Sequence, residues 1–394
     1  MTPKHPPMYM KSTRKLLLAA FTSPLNQNGV GMAVARMEKE MRDRGWQIVI
    51  AATLPEDPSL TPPANHHALP TTFKGGRGAA DRIVKQRLYE WMDAEKPSVI
   101  VIHSWVGWPL YVMVPYARKN KVPILLMGHG FGAHMMIWVV KPPFFGLARW
   151  LRAWCFVARM PIWMHQMAGI VVLGKRPHFV RAFDYWLARL VGYRRVHVIP
   201  NAVELMKPEV RDFRGKHGLE GKIIYLCVAG YSTTKDQLYI LEGFAEANIP
   251  NSVMVFIGPL ENAYSKNLRA AAAICSAEVL ILAGLQRPEV EAAIQACDVA
   301  VLGSRSEMQP IFLLEAMSEG KPWICTKVGS VDQLDGGIIY DHTKQGLANA
   351  MLRLSDSVQR QTMGTQGRQQ WLEEFLPEIV YGKWDKLLRD LIAR

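Results

Sequence analysis

Short apolar runs alternate with amphipathic stretches along most of the chain. The apolar runs are bounded by glycine, proline or polar residues, which predicts buried strands, and the amphipathic stretches between them predict helices. Strands that alternate with helices are typical of parallel sheets covered by helices. Strands are predicted at residues 16–21, 47–52, 98–103, 124–127, 169–173, 223–229, 253–257, 279–283 and 299–302.

The segments between these strands complete the pattern. Helices are predicted at residues 30–44, 236–247, 265–276, 287–296 and 311–318. The fold class predicted is α/β, with two doubly wound, Rossmann-like domains. We expect an N-terminal domain over residues 1–200 and a second domain over residues 201–374, which meet near residues 198–203.

The composition is that of a globular chain. With 49% of its 394 residues hydrophobic, the chain is long enough for two domains that each bury a core. The five cysteines form no C-x-x-C pair, so we expect reduced core residues in a cytosolic protein. Basic residues before the apolar run at 16–21 resemble the start of a signal peptide, but the run is short, which favours a first core strand.

The net charge of +13 is distributed unevenly. Residues 1–200 carry 27 Lys and Arg against 10 Asp and Glu, whereas residues 201–394 carry 20 against 24. Between residues 96 and 183 there are eleven basic residues and no acidic one. An N-terminal half with this excess of positive charge should attract an anionic partner. Because no nucleic-acid-binding motif is present, we expect an anionic membrane surface or a phosphate-bearing lipid rather than nucleic acid.

Aromatic and basic residues are concentrated between residues 135 and 167. The part from 146 to 159 has helical character, and this composition is typical of a helix that lies in a bilayer interface. The alternative is a core helix with an exposed basic edge. The residues predicted to contact a membrane or its acceptor are Arg149, Trp150, Arg152, Trp154 and Arg159.

Two glutamates carry the strongest chemical signal. Glu307 lies in the loop after the strand at 299–302, and Glu315 lies about one turn into the helix at 311–318. The start of a helix presents free backbone N–H groups that favour phosphate. Carboxylates beside such a start can accept hydrogen bonds from hydroxyls, which suits a nucleotide sugar. The alternative is a pair of solvated glutamates on a surface helix.

This passage resembles the E-x7-E signature of the retaining glycosyltransferases of family 4, which have the two-domain GT-B fold with the domains facing a cleft. The resemblance implies that Glu307 faces the donor sugar and that Glu315 binds the ribose hydroxyls. Met308 stands where the family usually has glycine. The turn that implies donor binding is formed by Pro310, Ile311 and Phe312.

The resemblance covers nearly the whole chain. It implies a glycine loop at Gly29 near the donor, a histidine at the cleft at His129 and a hinge at Asn201. His103, which also follows a predicted strand, could help to shape the acceptor side. His134 is a rival for the histidine position. The segment at 375–394 resembles the terminal helix that crosses back onto the first domain.

The loop at 230–235 resembles the family's loop with an arginine and a lysine on the donor diphosphate. Lys235 matches the lysine, and Tyr231 stands where the arginine is expected. Arg287 or Arg305 could supply the missing cation. The catalytic residues implied are His129, Lys235 and Glu307.

The chain has no Asp-x-Asp motif and no metal-ligand spacing, so we expect transfer without a metal or another cofactor. The resemblance implies retention at the anomeric carbon. We expect a peripheral enzyme on the inner, cytoplasmic face of the cell membrane that moves a sugar from a nucleotide sugar to a polyprenyl-linked or lipopolysaccharide-type acceptor. The alternatives are a soluble relative with a small anionic acceptor, and a non-catalytic scaffold that binds nucleotide sugars.

Overall fold

Two parallel sheets organise the chain. The computed structural model describes residues 14–26, 29–75, 78–105, 107–129, 147–175, 183–206 and 212–394. The first sheet has the strand order β3-β2-β1-β4-β5-β6-β7, and every pair in it is parallel. Its strands are β1 (Lys15–Ala20), β2 (Gln47–Thr53), β3 (His66–Leu69), β4 (Val99–His103), β5 (Ile124–Met127), β6 (Gly169–Val172) and β7 (Val196–Val198).

Helices cover both faces of this sheet. Side chains from β1, β4 and β5 alternate between two apolar clusters, one on each face, so Leu17 lies in one cluster and Leu16 in the other. The helices are α1 (Gly29–Asp43), α2 (Ala79–Glu95), α3 (Trp108–Asn120), α4 (Leu147–Gln166) and α5 (Phe183–Leu190).

The second sheet repeats the same winding, with the order β10-β9-β8-β11-β12-β13. Its strands are β8 (Ile223–Val228), β9 (Ser252–Gly258), β10 (Val279–Ala283), β11 (Val299–Leu302), β12 (Trp323–Thr326) and β13 (Gly337–Tyr340). Its helices are α6 (Phe213–His217), α7 (Gln237–Ala247), α8 (Ala263–Ala273), α9 (Arg287–Ala296), α10 (Ile311–Ser318), α11 (Lys344–Arg353) and α12 (Ser357–Glu374), with a 3-10 turn at Val331–Gln333. In both sheets the first three strands are added toward one edge and the following strands toward the other edge. Open α/β sheets bind ligands at the point where this strand order reverses, which lies beside the first strand of each sheet.

The last helix, α13 (Pro377–Ile392), packs against the first sheet. Val380, Trp384 and Leu388 are buried in the same cluster as β1 and α1. The indole N–H of Trp46 donates to Asp385 at 2.7 Å, which fixes the helix against the end of α1. The C-terminal segment therefore joins the core of the first domain after the second sheet is complete.

The strand predictions are confirmed, and each agrees with the structure to within one residue at either end. Of the four remaining strands, β12 lies in residues 321–329, which resemble the next strand and glycine turn of the family. The strands β3, β7 and β13 were not predicted, because they are short segments at the edges of the sheets. The expectation that all five cysteines lie in the core is wrong for Cys155, which is exposed on α4. Among the described residues, no helix combines the length and apolarity needed to span a bilayer.

Two glycines in the C-terminal helices allow a matched test of the packing. In α12, a Cβ on Gly364 would collide with the carbonyl oxygen of Gly320, just after α10, whereas a Cβ on Gly382 in α13 would meet no atom within 4 Å. We expect Gly364→Ala to lower the free energy of unfolding by roughly 1–3 kcal/mol. We expect Gly382→Ala to raise it by about 0.5–1 kcal/mol, because alanine favours helix. Denaturant unfolding measures both, and equal values would contradict this packing.

Candidate active site

The loops after β8 and β11 lie side by side because these strands pair in the second sheet. The ammonium of Lys235 forms an ion pair with the carboxylate of Glu307. The backbone N–H of Arg305 donates to the carbonyl of Thr234 at 2.8 Å, and its guanidinium contacts Asp236 at 2.7 Å. The two loops are therefore tied together by backbone and side-chain contacts at the carboxyl end of the sheet.

Glu315 is a buried carboxylate on α10. Its residue is 4% exposed, and Nη2 of Arg287 lies 2.7 Å from its Oε1. Nε of Arg287 also contacts Glu291 at 2.8 Å. Burial of a lone carboxylate is costly, and the ion pair with Arg287 offsets that cost for Glu315. Only 5% of the Glu315 side chain and 13% of the Glu307 side chain are exposed, so the alternative of two solvated surface glutamates is wrong.

The start of α10 offers free backbone donors beside these carboxylates. Pro310 precedes the helix, and no side chain caps this helix within the described part of the chain. The first helical bond runs from the N–H of Leu313 to the carbonyl of Pro310, so the N–H groups of Ile311 and Phe312 precede it. Such groups, with the partial positive charge of the helix start, can bind phosphate oxygens.

Tyr231 stands where the resemblance implies an arginine, but its side chain has a structural role in the second domain. It is 4% exposed, and its hydroxyl donates to the carbonyl of Leu282 at 2.6 Å. Its ring fills the space above Gly258, where a Cβ would collide with it. Burial raises the pKa of its hydroxyl. The two suggested replacements for the missing arginine, Arg287 and Arg305, both lie in ion pairs with protein carboxylates.

The loop of Glu307 is also held from the first domain and from β12. The backbone N–H of Asn201 donates to Oε1 of Gln309 at 2.6 Å, and Met308 packs against the core beneath β1. Ser330 donates its backbone N–H to the carbonyl of Met308 at 2.8 Å. Gly329 has φ +54°, and a Cβ there would collide with Met308. Met308, the departure from the family pattern, thus contributes to packing between the domains.

The carboxyl end of β4 and β5 in the first sheet carries a histidine pair. Nδ1 of His103, at the end of β4, lies 2.9 Å from Nε2 of His129, which follows β5. Burial lowers the pKa of His129 to about 4 and that of His103 well below its usual range. Both rings are therefore neutral near pH 7.

Buried contacts behind the pair fix its backbone. Ser104 has the unusual φ of 106° and donates its N–H to the carbonyl of Met127 at 3.0 Å. The indole of Trp105 donates to the carboxylate of Asp184 at 2.7 Å. The same carboxylate lies 2.7 Å from where a Cβ on Gly128 would be, so no larger residue fits there.

Gly29, which was predicted to lie near the donor nucleotide sugar, is the first residue of α1 and is exposed. A Cβ on Gly29 would meet no atom within 4 Å, so the packing of the protein does not require glycine there. His134, the rival of His129, lies outside the described residues.

The surface of α4 is amphipathic. Ala153, Phe156 and Met160 are buried against the first sheet, whereas Leu151, Trp154 and Ile162 are 48%, 44% and 58% exposed. Arg152 and Arg159 are exposed on the same helix, and the Trp150 and Trp154 rings meet edge to face. The alternative of a core helix with an exposed basic edge also fits the buried face of α4 and its exposed arginines, and the exposed Leu151, Trp154 and Ile162 are the additional feature of this surface. The side chain of Arg149 and residues 135–146 lie outside the described part.

Three residues of this region were missed by sequence reasoning: Asp236, Gln309 and Asp184. Asp236 and Gln309 are each adjacent to a motif residue, and that proximity is the signal that could have found them. Asp184 has no local signal, since its partner Trp105 is remote in sequence. Within the described ranges, no group of three or more His, Cys, Asp or Glu side chains is arranged to hold a metal ion.

Sequence profiles of two families match the chain. The family described as glycosyltransferase family 4 matches residues 27–172, and that described as glycosyl transferases group 1 matches residues 209–370. The two matches fall on the two sheets and together cover most of the chain.

Known proteins agree with these matches. The UDP-Gal:alpha-D-GlcNAc-diphosphoundecaprenol alpha-1,3-galactosyltransferase of Escherichia coli is 28% identical over 177 residues, which are 41% of this chain and 46% of that relative. The chain thus spans about half the length of this curated relative.

Solved structures show the same fold over nearly the whole length. Sucrose-phosphate synthase from Thermosynechococcus elongatus superimposes with a TM-score of 0.73 at 18% identity, over 96% of this chain and 99% of that one. HepE from Anabaena, in complex with UDP and glucose, gives 0.70 at 16%, over 95% and 99%. With two Rossmann-like sheets and matches in both halves, the chain belongs to glycosyltransferase family 4 and has the GT-B fold.

Proposed function

We propose that this protein is a retaining, metal-independent glycosyltransferase that moves a sugar from a nucleotide sugar to a lipid-linked acceptor at a membrane. The observation that carries the proposal is the arrangement of the second domain, in which the Lys235–Glu307 pair and the buried Glu315 flank the uncapped start of α10. This arrangement provides donors for phosphate and acceptors for hydroxyls within one edge of a sheet.

Each group has a role toward the donor. Lys235 and the N–H groups of Ile311 and Phe312 bind the diphosphate, and Glu315 accepts hydrogen bonds from the ribose hydroxyls. Glu307 faces the sugar, where it can bind hydroxyls and stabilise positive charge at the anomeric carbon. UDP is the nucleotide favoured, because the relative in Escherichia coli uses UDP-Gal and HepE was solved with UDP.

Bond cleavage places negative charge on the leaving diphosphate. Preorganised donors aimed at that charge stabilise the transition state without reorganisation. Lys235 and the start of α10 supply such donors, so a metal ion is not needed for this step. As the bond between the anomeric carbon and the diphosphate oxygen breaks, the acceptor hydroxyl bonds to that carbon from the same face and passes its proton to the leaving diphosphate. This retains the configuration without a covalent enzyme intermediate. Movement of the domains about Asn201 closes the cleft and excludes water.

The surface of α4 supports a membrane-bound acceptor. Its exposed Leu151, Trp154 and Ile162 are flanked by Arg152 and Arg159, which suits insertion among anionic lipid headgroups. The acceptor of the Escherichia coli relative is carried on diphosphoundecaprenol. We place this protein on the inner, cytoplasmic face of the cell membrane, in the synthesis of a cell-surface polysaccharide or lipopolysaccharide.

A transfer assay tests the proposal directly. Radiolabelled UDP-sugars are offered with a sugar-diphosphoundecaprenol acceptor in anionic liposomes, in excess chelator. We expect a labelled lipid product whose new linkage keeps the α configuration of the donor, measured by NMR. Activity that chelator abolishes and magnesium or manganese restores would overturn the metal-free mechanism. Equal transfer to a water-soluble acceptor would favour the soluble enzyme, and UDP binding without turnover would favour the scaffold.

Glu315 and Glu291 form a matched pair for donor binding, because both contact Arg287. We expect Glu315→Gln to weaken UDP binding by roughly 1.5–3 kcal/mol, since it removes a charged acceptor for the ribose. Glu291→Gln should leave UDP affinity unchanged. Calorimetric titration of UDP measures both, and equal affinities of the two variants would rule out the ribose role of Glu315.

Lys235 and Lys222 allow a similar comparison, since each forms an ion pair with a glutamate of the second domain. We expect Lys235→Met to weaken UDP binding and to lower kcat by roughly 10²–10³-fold, because it removes a cation that meets the leaving diphosphate. The control Lys222→Met changes a residue directly before β8, at the opposite end of this strand from the loop of Lys235. This variant should transfer sugar at the parental rate. A Lys235→Met variant with parental turnover would show that this loop does not bind the diphosphate.

The membrane role of α4 can be measured by liposome sedimentation. Each basic residue near an anionic surface contributes about 1 kcal/mol, so Arg152→Glu with Arg159→Glu should weaken binding at least about 30-fold. UDP binding should be unchanged. The control is Lys266→Glu with Arg353→Glu, an equal charge change at exposed positions of the second domain.

The exposed Cys155 gives a second readout on the same helix. In a Cys275→Ser background, an environment-sensitive fluorophore on Cys155 should shift to the blue when anionic liposomes are added. Parental liposome binding of the arginine variant together with an unshifted label would show that α4 does not contact the membrane.

A further inference from the structure

The histidines at the ends of β4 and β5 form a single hydrogen-bonded unit. His103 is fully buried as the last residue of β4, in register with Met127 on β5, and His129 follows two residues later. Nδ1 of His103 and Nε2 of His129 are 2.9 Å apart, and the ring planes are inclined by 16°. Because the strands and the Ser104–Met127 hydrogen bond hold both backbones, the two rings keep this relation.

One proton serves the bond between the two rings. Burial keeps both imidazoles neutral near pH 7, so each ring carries one N–H. If His103 carries its proton on Nδ1, it donates to Nε2 of His129. If His129 carries its proton on Nε2 instead, it donates to Nδ1 of His103. The contact therefore couples the tautomer of one ring to that of the other.

The environment of His103 distinguishes these arrangements. Nε2 of His103 is buried and has no hydrogen-bond partner among the described residues. In the second arrangement this nitrogen would carry a proton, which leaves a buried N–H without an acceptor. In the first arrangement it carries a lone pair. Buried N–H groups without an acceptor are rarer in folded proteins than under-satisfied acceptors, so the first arrangement is favoured.

We propose that His103 is a positioning residue that donates from Nδ1 to Nε2 of His129 and so fixes His129 as the Nδ1–H tautomer. The Nε2 lone pair of His129 is then occupied, and Nδ1–H is the polar group that His129 has left for a ligand. His129 can donate a hydrogen bond to a hydroxyl or phosphate oxygen, but it does not accept a proton from the acceptor. This role in transfer rests on the proposed function, whereas the tautomer itself does not.

NMR of the unmodified protein tests the tautomer without any assay of activity. Long-range ¹H–¹⁵N correlation spectra of a sample with ¹⁵N-labelled histidine distinguish the Nδ1–H from the Nε2–H form. The signals of the pair among the 11 histidines are assigned by their loss in His103→Asn and His129→Asn. We expect His129 in the Nδ1–H form. A protonated Nε2 on His129 at pH 7 overturns the inference.

Two substitutions of His103 test its effect on transfer. His103→Asn places an amide N–H near the position of Nδ1, and His103→Leu removes the donor while filling similar space. We expect His103→Leu to lower kcat by roughly 10–100-fold, as loss of an outer partner of a functional histidine does, with KM for UDP-sugar little changed. His103→Asn should restore kcat to within a few-fold of the parent and keep the His129 tautomer.

The outcomes separate this inference from the proposed function. Equal kcat for the Leu and Asn variants, with both folded by circular dichroism, overturns the positioning role. If the parent protein transfers no sugar at all, the proposed function fails, while the NMR spectrum still decides the tautomer.

Discussion

The pairing of β8 with β11 is the constraint on which the candidate site depends. Parallel strands end at the same edge, so the loops that follow these two strands must meet although they are far apart in sequence. This meeting brings Lys235 to Glu307 and Asp236 to Arg305. The loop of Glu307 is then held by Asn201, Ser330 and the packing of Met308. The position of its carboxylate is thus set by both domains.

Charge balance is the second feature that unites the site. Each carboxylate there is already paired with a cation, Glu307 with Lys235 and Glu315 with Arg287. Under the proposed function, a diphosphate beside α10 would add negative charge, and Lys235 would share its charge between Glu307 and the phosphate. The neutral histidine pair on the opposite domain adds no charge of its own. The protein therefore has a charged edge on the second sheet and a neutral, hydrogen-bonding edge on the first.

Tyr231, where the resemblance implies an arginine, has a structural role. Tyr231 is buried, with its hydroxyl bound to the ends of β9 and β10, so its position has become part of the sheet edge. Its ring requires Gly258, because any side chain there would collide with it. Because Tyr231 carries no positive charge, the positive charge near this loop comes from Lys235 and from the start of α10. Substitution of Lys235 is therefore the most direct test of the proposed function.

The sequence by itself determined the central strands of both sheets, the two-domain winding and the motif residues. Apolar runs and glycine or proline boundaries are local features, and the central strands are buried on both faces, so their pattern is clear. Tertiary structure alone decided which charges pair, that α4 exposes Leu151, Trp154 and Cys155, and that His103 contacts His129. These facts depend on contacts between residues distant in sequence and on which face of each element meets a neighbour. The hydrophobic periodicity of a helix or strand indicates that one of its faces is buried. Only the packing of the folded chain determines which other element covers that face.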